Sequence, residues 1–192
     1  MFRKQLKSAF LVFLLLTVIT GLIYPFVITA VAQVFFHPQA NGSIILRNGK
    51  PTGSSLIGQY FDDPNYFWGR LSATSPVAFN ASASSGSNFG PLNMALRQRV
   101  EERVKLLQDA DPDNKNLVPV DLVTASASGL DPHISIAAAM YQVPRVAHLR
   151  GIPQEKVAEI VRENTQVRLL GIIGEPVVNV LQLNMALDEY KR

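Results

Sequence analysis

From Ala9 to Phe36 the chain is almost unbrokenly apolar, and no charged side chain lies between Lys7 and Arg47. As one helix those 28 residues would extend about 42 Å at ~1.5 Å per residue, against a hydrocarbon core about 30 Å thick. The stretch therefore predicts a membrane-crossing helix whose last turns stand in the interface. Thr17, Thr20 and Thr29 can return their hydroxyls to backbone carbonyls, which makes them cheap in lipid. Tyr24-Pro25 falls mid-way, and the donor that Pro25 removes predicts a bend there.

Beyond Phe36 the pattern becomes that of a mixed domain. Asn41-Gly42-Ser43 marks a turn, Ile44-Ile45-Leu46 a strand, and Asn48-Gly49 a two-residue hairpin turn, with a second strand expected within residues 51–60. An aromatic cluster follows (Tyr60, Phe61, Tyr66, Phe67 and Trp68), then a long Ser/Ala/Gly/Asn/Pro-rich loop over 72–91. Its length predicts that it lies against a surface or a partner. Leu92, Leu96, Val100, Val104 and Leu107 recur at helical spacing and predict a helix over 91–109. Arg97–Glu101 and Glu101–Lys105 pair on its wet side. Val118 to Val123 reads as a strand passing into the small polar run 124–129. A helix starting at Asp131-Pro132 or Ser135 should run to Leu149 with a kink or break at Pro144 and a stop at Gly151. Pro153 opens another helix to Asn164. Residues 176–181 read as a strand or helix entrance, and the tail to Tyr190 as helical. The fold class is α+β.

Charge sharpens this picture. The net charge of +3 invites a nucleic-acid reading, but Arg3, Lys4 and Lys7 supply all of the excess. Without them 15 basic side chains balance 15 acidic ones, so the body lacks the general basic surplus that phosphate backbones favour. Basic residues before the span place the amino terminus in the cytoplasm. The expected organisation is a cytoplasmic end (1–8), a transmembrane helix (9–36) and an extracytoplasmic domain (37–192). Ala30-Val31-Ala32 has the form of a signal-cleavage site, yet the apolar stretch exceeds the usual core of about 7–15 residues. The anchor reading is adopted, and either reading exports the domain. The absence of cysteine removes disulfides, thiol nucleophiles and thiolate metal sites.

Ser126-x-Ser128-Gly129-x-Asp131-x-His133 gathers a serine, an aspartate and a histidine. However, hydrolase triads are assembled from distant parts of a chain, and no G-x-S-x-G elbow is present. The plainer reading is a turn whose hydroxyls and carboxylate satisfy backbone amides, with Thr124, Ser126, Ser128 and Asp131 as a candidate partner-facing polar loop. His37, His133 and His148 form no zinc motif, and Asp62-Asp63-x-Asn65 lacks the spacing of a calcium loop. Residues 145–161 have the outline of a helix-turn-helix, but export puts DNA out of reach. Trp68 and Arg70 could stack on bases, although a core or interface role fits the cluster better. There is no P-loop. These readings describe an accessory protein without an enzymatic site; an exported serine hydrolase or a membrane-tethered regulator are the alternatives.

Several blocks in order resemble the C subunit of the bacterial Kdp-type potassium-transporting P-type ATPase. They are the span with Tyr24-Pro25 and its exit Asn41-Gly42-Ser43, Gly53-Ser54 with Leu56-Ile57-Gly58-Gln59, and Tyr66-Phe67-x-Gly69-Arg70-x-Ser72-Ala73. Gly86-Ser87-Asn88 follows, then Leu122-Val123-Thr124-Ala125-Ser126-Ala127-Ser128-Gly129-Leu130-Asp131 with Ile134-Ser135. Gln142-x-Pro144-Arg145-Val146-Ala147 and Gly174-Glu175-Pro176-Val177-Val178-Asn179-Val180-Leu181-x-Leu183-Asn184 complete the set. Leu71 departs from the family's usual proline. The resemblance implies a non-catalytic, single-pass subunit of the bacterial inner membrane, needed for assembly of an ATP-driven, high-affinity potassium uptake complex. Its implied partners are a channel-like subunit, a P-type ATP-hydrolysing subunit, a very small fourth membrane subunit and the lipid bilayer, with no nucleic acid. ATP and potassium are then handled by the complex, and no cofactor is assigned to this chain. The family is described as a catalytic chaperone raising the hydrolysing subunit's affinity for ATP.

Overall fold

A computed structural model describes residues 2–190. It divides into two compact units near Ile44. The first is dominated by a 34-residue helical stretch, Phe2–Phe35, long and apolar enough to cross a membrane. It comprises α1 (Phe2–Val18), a π-helical turn (Ile19–Ile23) and α2 (Tyr24–Phe35). The π turn lies just before Pro25, and the Tyr24 N–H reaches back to the Ile19 carbonyl. One extra residue in the turn accommodates a ring that can neither donate nor tolerate the regular carbonyl position. Thr17 and Thr20 donate to the carbonyls of Phe13 and Leu16 at 2.8 and 2.7 Å. A short helix α3 (His37–Ala40) follows.

The second unit is α+β. A two-stranded hairpin, β1 (Ile44–Arg47) with β2 (Lys50–Ser54), turns through Asn48 and Gly49, both at positive φ. Helix α4 spans Met94–Ala110, capped by the Asn93 side chain on the Ala95 N–H. The expected helix over 91–109 therefore begins late. Leu92 falls outside it and is 94% exposed, so the apolar stripe is four residues long and ends in the buried Leu107. Arg97 and Glu101 form the expected pair at 2.7 Å.

The expected strand at 118–123 is a single helical turn, α5 (Val120–Val123). Leu122 and Val123 are both buried while Val120 is exposed, a one-sided burial that an alternating strand cannot give. The Asp121 carboxylate fixes the turn by accepting the Ser135 N–H at 2.7 Å and its hydroxyl at 3.2 Å. Strand β3 (His133–Ser135) leads into α6 (Ile136–Arg150), which starts at Ser135, the second of the two expected positions, with the Ser135 hydroxyl capping the Ala138 N–H. α6 runs through Pro144 without a break and stops at Gly151, whose φ of +60° suits glycine. α7 (Gln154–Glu163) buries Val157, Ala158, Ile160 and Val161, so the helix-turn-helix outline at 145–161 is a hairpin packed into the core.

β4 (Thr165–Gln166), β5 (Val177–Asn179) and β3 form an antiparallel sheet in the order β3-β5-β4, with Val178 opposite both Ile134 and Thr165. α8 (Val180–Glu189) continues directly from β5. The core lies where α6, α7 and α8 pack with this sheet, around Ile134, Val146, Val157, Val161, Val178, Leu183 and Leu187. Phe67 and Trp68 are buried in it. Tyr60 of the same aromatic cluster is exposed, but a Trp68 that is 3% exposed offers no face to a base.

Candidate functional site

The segment carrying Phe67 and Trp68 has no strand or helix of its own, so its backbone groups need other partners. Two buried amides supply them. Gln142 on α6 accepts the Trp68 N–H at 2.8 Å and donates to the Trp68 carbonyl at 3.1 Å. Asn184 on α8 does the same for Phe67, at 2.9 and 3.0 Å. Each amide copies the donor–acceptor pair of a neighbouring strand. Arg145, 3% exposed, stacks 4.4 Å from the Trp68 ring and donates to Gln142 Oε1 and to the Pro64 carbonyl. Burial pulls its guanidinium down to about 10. Asp188 collects Arg47 at 3.0 Å, Arg150 at 2.9 Å and the Tyr66 hydroxyl at 3.4 Å.

This frame presents Arg70 to the 124–133 loop. Arg70 reaches Asp131 Oδ2 at 3.1 Å and the Ala125 carbonyl at 3.3 Å. Asp131 Oδ1 accepts the His133 N–H at 3.0 Å and lies 3.3 Å from His133 Nδ1. Burial pushes the Asp131 carboxyl up, but hydrogen bonds from His133 and the Arg70 charge outweigh it and hold the group below its usual range. The hydroxyls of Ser126 and Ser128 accept the Asp131 and Leu130 N–H groups at 3.5 and 3.2 Å, and Thr124 donates to the Val120 carbonyl at 2.8 Å. Both serines thus brace the turn. Ser126 is buried, Ser128 exposed, and Thr124 and Asp131 half-buried.

The neighbouring loop clasps this turn. Ser72 donates to the Gly129 carbonyl at 2.7 Å, and the Ser85 N–H to Ser128 at 3.0 Å. Gly129 sits at φ +68°, where a Cβ would lie 2.6 Å from the Ser85 carbonyl. Glycine alone fits both conditions. The long 72–91 loop is therefore ordered against 124–131. A cleft of about 500 Å³ opens beside it, with Tyr60, Arg99, Arg103 and Thr124 on its walls. Among the described residues no cluster of three His, Asp or Glu side chains could hold a metal ion.

A family model described as "K+-transporting ATPase, c chain" (KdpC) matches residues 6–189. The chain is 58% identical over 189 residues to a protein of Herpetosiphon aurantiacus named potassium-transporting ATPase KdpC subunit, covering 98% of each. Proteins of the same name from Polaromonas naphthalenivorans (59%, covering 98% of this chain and 96% of the relative) and Dechloromonas aromatica (56%, covering 99% and 100%) are similar to it over the same extent. The chain belongs to the KdpC family. In this KdpC chain, the polar frame that sequence patterns miss is Gln142, Asn184, Arg150 and Asp188. Gln142 and Asn184 stand within the blocks that carry the resemblance, but a lone amide on a helix has no spacing that marks it as a clamp. Only the fold reveals its partner.

Proposed function

We propose that this chain is the accessory, non-catalytic subunit of an ATP-driven potassium uptake complex. In this reading the apolar helix anchors it in the bacterial inner membrane with its amino terminus in the cytoplasm, and residues 37–192 stand on the extracytoplasmic side. There the domain caps a channel-like subunit near the potassium entrance and helps to assemble and couple it with the ATP-hydrolysing subunit. Thr124, Ser128 and Asp131 face a partner, and Ser126 holds the Asp131 amide beneath them. The observation that carries this is the family match over residues 6–189. The use of both serine hydroxyls as backbone acceptors supports a non-catalytic role over a hydrolase. A domain on that side has no access to cytoplasmic ATP, so any effect on nucleotide affinity acts through the partners. Purification through a carboxyl-terminal tag tests the proposal. It should recover a channel-like polypeptide and a P-type ATPase with potassium-stimulated activity, and recovery of the chain alone would overturn it.

A further inference from the structure

The hairpin joining β4 to β5 ends in Val167-Arg168-Leu169-Leu170-Gly171-Ile172-Ile173, and its aliphatic side chains face solvent. Val167 is 82% exposed, Leu169 66%, Leu170 83%, Ile172 78% and Ile173 57%. So many large aliphatics gathered on one exposed tip mark an interaction site, unlike singly scattered ones. The backbone adds a second oddity. Leu170 has φ +55° and Gly171 φ +77°, and at the first of these asparagine or glycine would be the easy choice. A leucine there pays in strain and in exposure, a combination that persists where the side chain has work elsewhere. Across the base of the tip Leu169 and Ile173 exchange two hydrogen bonds, at 2.9 and 3.0 Å. The one charge within it, Arg168, is paired with Glu175 at 2.7 Å.

We infer that this hairpin is a docking tongue that seats its aliphatic tip in an uncharged, aliphatic pocket of another subunit of the transporter. The inference rests on the subunit reading above. Charge selects the occupant. A loop that dips into lipid headgroups carries free Lys or Arg and interfacial Trp or Tyr, whereas this tip has no aromatic residue and its arginine is paired with Glu175. An uncharged tip with paired polar groups matches the charge-depleted centre of a protein interface. It extends the central sheet through β5, so the tongue is mounted on the core.

The test uses the full-length chain in its own membranes, with a photo-activatable benzophenone amino acid at position 170. Irradiation should give a covalent adduct with a different polypeptide that also co-purifies with the unmodified chain. Adducts with phospholipid, with a second copy of the chain, or none at all would overturn the inference. Leu170→Asn and Ile172→Asp provide a second readout. Asparagine tolerates the left-handed backbone, so Leu170→Asn should leave the fold and its Trp68 fluorescence unchanged. Together the two changes should lower recovery of the partner about tenfold or more. Undiminished recovery refutes the tongue alone and leaves the subunit reading standing. A wild-type chain that recovers no other subunit refutes both.

Discussion

Asn184 shows how one side chain can substitute for a missing strand. Its amide meets both backbone groups of Phe67 in the core. Asn184→Leu keeps the volume and leaves a buried donor and acceptor without partners, at about 1–3 kcal/mol for each group. Urea unfolding of the detergent-solubilised chain, followed through its single tryptophan, Trp68, should show a midpoint well below wild type. An unchanged midpoint would mean that the clamp is dispensable. Asp188 predicts a pH dependence. Burial pushes its carboxyl up, but hydrogen bonds from Arg47 and Arg150, the Arg150 charge and the Tyr66 hydroxyl outweigh this and hold it below the usual carboxylate range. A carboxyl lowered on folding contributes stability that is present above its unfolded value of about 3.9 and is lost as pH falls through the folded value. Asp188→Asn should therefore cost about 1 kcal/mol at pH 7, with the deficit shrinking toward pH 3. A deficit independent of pH would assign the effect to packing.

At the scale of elements, the apolar segment makes the sharpest prediction. A charge near its centre costs roughly 2.5–3.5 kcal/mol on the insertion scale, so Leu15→Arg should reduce the chain recovered in washed membranes. Unchanged recovery would show that this segment is not the anchor. The sequence made α4, α6, α7 and the β1–β2 hairpin legible, because each carries its own periodicity, cap or Asn-Gly turn. It misplaced Val118–Val123, since six largely apolar residues fit a strand as well as a buried turn, and only Asp121 reaching Ser135 decides between them. β3 and β5 are too short for a period of their own and exist because they pair. Pro144 signalled a kink or a break, and the packed helix does not break there. The Ser126–His133 cluster was legible as a turn because the Ser126, Ser128 and Asp131 side chains each accept an amide N–H a few residues away. The contacts of Gln142 with Trp68, Asn184 with Phe67 and Asp188 with Tyr66 join residues more than seventy positions apart, and no local spacing encodes them.

At the scale of the whole molecule, membership in the KdpC family, the long apolar helix and a domain stitched by buried amides and arginines support the subunit proposal. The central claim is that the chain works as one subunit among several. The direct measurement is purification through a carboxyl-terminal tag in mild detergent, with co-purifying polypeptides identified by mass spectrometry and ATP hydrolysis assayed with and without potassium. The account predicts a channel-like subunit and a P-type ATPase in the eluate, with hydrolysis stimulated by potassium. A chain eluting alone, or with partners whose ATPase ignores potassium, would contradict it.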